Sequence, residues 1–169
     1  MIDASAIVDA AQRQAALDPQ HSFIVQAPAG SGKTSLLTQR YLTLLAYVQH
    51  PEEIIAITFT RKAAAEMRNR IIEALNTACE ASPATEHERQ TWILARAVLA
   101  HDEHSGWNLL AHPARLRIHT IDALCNTLTR QMPVLSNFGA APVTTTDMAD
   151  LYREAARETL ALLETGERW

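Results

Sequence analysis

No apolar run in this 169-residue chain approaches the length of a membrane span, and no basic-then-apolar segment opens it. Neither a membrane protein nor a secreted one is expected, and the chain reads as soluble and cytoplasmic. Cysteine is scarce. Cys79 and Cys125 form no metal or redox motif and read as buried thiols of a reducing compartment. A basic excess is also missing, since fifteen Lys and Arg stand against nineteen Asp and Glu for a net charge of −4. Overall charge therefore gives no reason to expect a nucleic-acid partner, and any such contact needs a local patch. The chain has no repeat, no low-complexity tract and no obvious interdomain linker. With 47% hydrophobic content it has the material for one core and one domain.

What is present begins at Ala27. Residues 27–34 read A-P-A-G-S-G-K-T, the spelling of a phosphate-binding loop. The preceding Ser22-Phe23-Ile24-Val25-Gln26 is short, β-branched and aromatic, and predicts a buried strand. Beyond the loop, Leu36, Leu37, Tyr41, Leu44, Leu45 and Val48 fall on one helical face, predicting a helix over 33–47. Gly30 and Gly32 free the backbone for left-handed conformations that turn N–H groups inward as an anion nest. A helix opening at Lys33 adds its unpaired amides and positive dipole end. Lys33 brings a mobile cation to the β- and γ-phosphates, and the Thr34 hydroxyl is placed to ligate Mg²⁺. Ala27 stands where the general pattern has glycine, and a small residue suffices there. The expected nucleotide pocket comprises Ala27, Pro28, Ala29, Gly30, Ser31, Gly32, Lys33, Thr34 and Ser35, with Lys33 and Thr34 as its catalytic pair. The plain alternative is a glycine-rich turn before a helix with an exposed lysine.

Helices and short strands alternate along the rest. A helix is expected over Ala4 to Leu17, ended by Asp18-Pro19. Pro51 breaks the helix after the loop, and Ile54 to Phe59 predicts a second buried strand. Thr60 can cap a helix running to about Cys79, with Ala64, Met67, Ile71 and Leu75 along one face. Ser82-Pro83 is a turn before a helix centred on Trp92 to Leu99. Leu116 to Ile118 predicts a brief strand, Ile121 to Gln131 a helix, Pro142 to Thr145 another strand, and Asp147 caps a last helix. Strands separated by helices imply an α/β fold with a parallel sheet.

The second strand runs into T58-F-T-R-K-A-A-A-E-M67. Together with the loop, this resembles the first two motifs of the UvrD/Rep-like superfamily-1 DNA helicases. The resemblance implies a RecA-like P-loop motor domain using ATP and Mg²⁺, acting in DNA repair or recombination. It places Thr58, Phe59, Thr60 and Arg61 along a single-stranded DNA track. The chemistry is compatible, because hydroxyls, a helix N-terminus and the Arg61-Lys62 pair can hold phosphates, and an aromatic ring can stack on a base. Read without the resemblance, Phe59 is a core residue beside a helix cap. Ala63 to Ala65 are small enough for close helix–sheet packing. The resemblance also makes Gln12, in Q12-R-Q-A-A16, the adenine-reading residue, a role that an amide suits because it both donates and accepts. Gln14 is a rival two positions away.

I118-H-T-I-D-A-L-C125 is similar to the T-I-H-S-F-C segment of the RecB/AddA branch, whose helicases are coupled to recombination nucleases. Thr120, Ile121 and Cys125 match. Asp122, Ala123 and Leu124 replace His, Ser and Phe, which removes two phosphate donors and adds a repelling charge. Only Thr120 carries over as a DNA contact. N137-F-G-A-A also looks like that branch. His101-Asp102-Glu103-His104 resembles an acidic box or metal cluster by letters alone, but it follows helix formers and reads as a solvated helix end.

No strand ends in a plausible acidic pair for Mg²⁺ and the attacking water, and no second α/β domain follows. The expectation is the amino-terminal part of a first motor domain, cut before its acidic motif, which binds nucleotide weakly and does not hydrolyse it. Its partners would be single-stranded DNA, the remaining motor domains of one polypeptide and a nuclease subunit. Two other classes compete: a self-contained P-loop kinase or small NTPase, and a non-catalytic nucleotide-binding partner module.

Overall fold

Helices form here where apolar side chains recur every three or four residues, and their ends fall where capping chemistry supplies partners. The computed structural model describes residues 9–83, 85–132 and 146–165. Its helices are α1 (Ala10–Ala15), α2 (Lys33–Leu45), α3 (Arg61–Ala78), α4 (Glu86–Ser105), α5 (Ile121–Gln131) and α6 (Ala149–Thr165). Two strands, β1 (Ile55–Thr58) and β2 (Arg117–Thr120), pair in parallel with Ile55 opposite Arg117 and Thr58 opposite Thr120. The Thr60 hydroxyl accepts from the Ala63 amide at 3.1 Å and so starts α3 immediately after β1. Gly106, in a left-handed conformation, ends α4.

The main core lies where α2, α3 and α4 meet β2. Leu42, Leu45, Ile71, Leu75, Val98 and Ile118 are fully or almost fully buried there. Arg68 on α3 donates to the Ile118 carbonyl at 2.8 Å and ties the helix to the strand. Ahead of each strand is a one-turn 3₁₀ helix, Pro51–Glu53 and Pro113–Arg115. Arg115 joins the two turns through a two-pronged contact with Glu52, at 2.6 and 3.1 Å.

The chain divides after Cys125 into two compact units. The first holds α1 to β2 and the start of α5, and the second holds the rest of α5 and α6. In the second, Asp147 accepts from the Ala149 amide at 3.2 Å, at the start of α6. Among the described residues no helix is long and apolar enough to cross a membrane.

Several expectations need correction. Residues 22–26 are not a strand: they make no ladder, Ile24 is 98% exposed, and Phe23 and Val25 are exposed as well. A strand needs a neighbour to satisfy its backbone groups, and no described strand runs beside this segment. Leu37 points outward, and Thr38 and Gln39 take buried places on α2 instead. Gln39 can be buried because its amide donates to the Thr91 hydroxyl at 3.0 Å. Cys79 and Cys125 are exposed, not buried. Of the three alanines after Lys62, only Ala64 is fully buried, and Ala65 faces solvent. The fold is α/β and the sheet parallel, with two strands among the described residues. The strand expected at Pro142 to Thr145, the Asn137 segment and the start of the first helix lie outside the described residues.

Candidate functional site: a phosphate loop and its neighbours

The loop between residue 27 and α2 turns on two glycines. Gly30 and Gly32 have φ of 79° and 78°, in the left-handed region where a side chain is strained. Nothing lies within 4 Å of where a Cβ on Gly30 would stand, so conformation alone calls for glycine there. Gly32 is the N-cap of α2, and the amides of Lys33 and Thr34 in its first turn have no intrahelical acceptor. The Lys33 ammonium folds back over the loop and donates to the carbonyls of Ala27 and Pro28, both at 2.5 Å. Carbonyls are weak partners for a full cation, and a phosphate oxygen is a stronger one. The Ser31 hydroxyl is buried and unpartnered. An orphaned donor beside a helix N-terminus is what a phosphate oxygen would satisfy, so the residues present fit a phosphate-bearing ligand.

Beside the loop lies a cavity of about 490 Å³. Gln12, Ala27, Ser31 and Lys33 line it together, as do Arg13 and Phe23. The structure thus brings the expected base-reading residue to the expected phosphate-binding lysine. It also separates the rivals: Gln14 is absent from that cavity, and its amide oxygen accepts from Gln90 on α4 at 3.0 Å. Pro28 and Ala29 are exposed on the loop, and Thr34 is exposed in the first turn of α2. Ser35 lies elsewhere, lining a groove with Thr38, Thr91 and Trp92.

Sequence reasoning missed Arg13. Its Nε donates to Asp9 at 2.9 Å and its Nη2 to the Ser31 carbonyl at 2.5 Å. The bond to Asp9 holds that carboxyl below its ordinary range. The Asp9–Arg13 spacing of four is visible in the sequence, but the reach to Ser31 is not. Arg40 was missed too. It donates to the carbonyls of Ala16, Asp18 and His21 and sits over the Phe23 ring, fixing the chain that leads into the loop.

At the carboxyl end of β1, Thr58 is half-buried, while Phe59, Thr60, Arg61 and Lys62 are exposed. The Phe59 ring is 87% exposed, which removes the core reading of that residue. Thr120 differs. It is only 9% exposed and its hydroxyl accepts from the Ala123 amide at 3.2 Å, so it caps α5. The His101–His104 stretch is the last turn of α4. His101 packs edge-on against Trp107 and bonds the Val48 carbonyl, and Asp102 accepts from the Leu109 amide. Both are half-buried, not solvated. Among the described residues no group of three or more His, Cys, Asp or Glu could hold a metal.

A glycine-turned loop opening a helix, and a parallel strand pair packed on α3, make this an α-rich α/β protein. The chain belongs to the family of UvrD/REP helicase N-terminal domains, whose family model matches residues 8–165. It is similar to an ATP-dependent helicase/nuclease subunit of Anoxybacillus flavithermus, 41% identical over 85 residues, covering 48% of this chain and 7% of that one. DNA helicase II of Salmonella typhimurium is 48% identical over 67 residues, covering 39% of this chain and 9% of its own. DNA helicase IV of Escherichia coli is 47% identical over 74 residues, covering 43% and 11%. The chain therefore spans about a tenth or less of the length of these curated relatives. No solved structure matches it.

Proposed function

We propose that this chain is the ATP-binding segment of an ATP-dependent DNA helicase, with the phosphate loop of a RecA-like motor domain at residues 27–34. The observation that carries the proposal is one cavity lined by both Gln12 and Lys33, beside a loop with two left-handed glycines and an orphaned serine hydroxyl. Lys33, Gly30, Gly32 and the first amides of α2 would hold the phosphates, the Thr34 hydroxyl would be the ligand for Mg²⁺, and Gln12 would read the base edge. Bound Mg²⁺ would supply charge neutralisation on the phosphates. Thr58, Phe59, Thr60 and Arg61 form one edge of a single-stranded DNA track, while Thr120 keeps its capping role. The relatives named DNA helicase and ATP-dependent helicase/nuclease subunit support action on DNA within a larger enzyme; a role in repair or recombination and a nuclease partner are part of the proposal.

Titration calorimetry with Mg²⁺ and ATP tests the site. Lys33→Ala removes a charged hydrogen bond, and a loss of about 1.5–3 kcal/mol is expected. Unchanged affinity in that variant would sink the assignment. The absolute affinity of the wild-type chain should be weak, because Gln12 and the loop grip the ligand from one side only.

A further inference from the structure

Arg13 stands beside Gln12 in Q12-R-Q-A-A16 and has no role in that resemblance, yet it reaches the phosphate loop from another element. It follows Gln12 on α1, and its guanidinium bridges Asp9 on one side and the Ser31 carbonyl on the other. A Cβ on Gly32 would stand 3.4 Å from Nη1, so the guanidinium closes over the left-handed bend. Its side chain is 23% exposed. A planar group held by acceptors on two elements cannot follow a ligand without breaking both contacts. The helix it rides on has six residues, too few to hold its place by its own hydrogen bonds. Gln14 on α1 is held to α4 by Gln90, and Ala16 and Leu17 just beyond the helix pack on Leu36 of α2. Arg13 adds the side-chain tie that runs from α1 to the loop itself, and so bears on where Gln12 stands relative to Lys33.

We infer that Arg13 is a positioning residue that pins the base-reading helix to the phosphate loop, so that preference for a nucleoside triphosphate over a bare triphosphate depends on it. The inference rests on the nucleotide site proposed above. It differs from a second phosphate cation, because Arg13 acts through Gln12 and the loop, not on the ligand.

The test titrates the 169-residue chain, wild type and variants, with ATP and with inorganic tripolyphosphate, both with Mg²⁺. Arg13→Ala is expected to weaken ATP binding about tenfold, the scale of one charged hydrogen bond, and to leave tripolyphosphate within about twofold. The Gln12→Ala, Arg13→Ala double variant should be no weaker for ATP than either single variant, because the two act through one contact. Arg13→Lys, which keeps one donor for the Ser31 carbonyl, should recover part of the preference. It also stands in if Arg13→Ala fails to fold. Equal losses for both ligands would make Arg13 a phosphate ligand and overturn the inference, as would additive losses or no loss at all. A wild-type chain whose ATP affinity survives Lys33→Ala would overturn the nucleotide site itself, which is a separate result.

Discussion

Phe59 sits between two threonines at the end of β1, with its ring in solvent and a helix N-terminus directly behind it. An aromatic side chain left exposed buries no apolar surface in the folded chain, so its removal costs the fold little. If the ring stacks on a base, removal costs binding. Phe59→Ala should therefore lower single-stranded oligonucleotide affinity by about 1–3 kcal/mol in fluorescence anisotropy while the thermal midpoint stays put. A drop in the midpoint with unchanged anisotropy would return Phe59 to a structural role. Because the chain is net negative and this edge offers only the Arg61-Lys62 pair, the wild-type affinity should be weak, with a shallow salt dependence of roughly −1.4 in log K against log salt.

Among the elements, the two 3₁₀ turns ahead of β1 and β2 depend on each other through Glu52 and Arg115. The hydrogen bond from Arg115 holds the Glu52 carboxyl below the ordinary glutamate value of 4.5. The folded chain thus binds this proton less readily than the unfolded one. The pair's stabilisation is complete above pH 4.5 and is lost as pH falls through the lowered folded value. Both side chains are nearly a third exposed, so screening limits the effect to roughly 1 kcal/mol. Denaturant titrations at about pH 7 and about pH 3 should show a stability difference that shrinks by about that amount in Glu52→Gln. A difference of the same size in both would assign the acid sensitivity elsewhere. The helices were legible in the sequence because their signals are local: Thr60 as a cap, the 64-71-75 stripe of α3, and the end of α5 at Gln131. The open run at 22–26 was misread as a strand, because apolar letters state a preference for burial without saying whether a neighbour exists to provide it. At the site, the loop's glycines were readable from steric rules alone. Arg13 and the choice of Gln12 over Gln14 were not, since both depend on contacts across 18 and 76 residues of chain.

At the scale of the whole molecule, binding and turnover come apart. Phosphoryl transfer to water needs a group to position the water and cations to meet charge on the leaving phosphate. Neither described strand delivers an acidic pair: β1 runs into Phe59-Thr60 and β2 into Ile121-Asp122. The 169 residues by themselves should release phosphate from ATP at the assay background, with or without single-stranded DNA. A DNA-stimulated rate above that of Lys33→Ala would place an acidic group in the site, and Asp102 and Glu103 would be the first to mutate. The bare Phe23-Ile24-Val25 run bears on how this polypeptide behaves at the bench. Three consecutive large apolar residues with open backbone groups are a template for a second molecule to lie against, which is how ordered aggregates begin. Solutions should scatter light increasingly with concentration and bind hydrophobic dyes while still folded. Ile24→Lys places a charge at the most exposed of the three, and it should clear the solution without moving the unfolding midpoint.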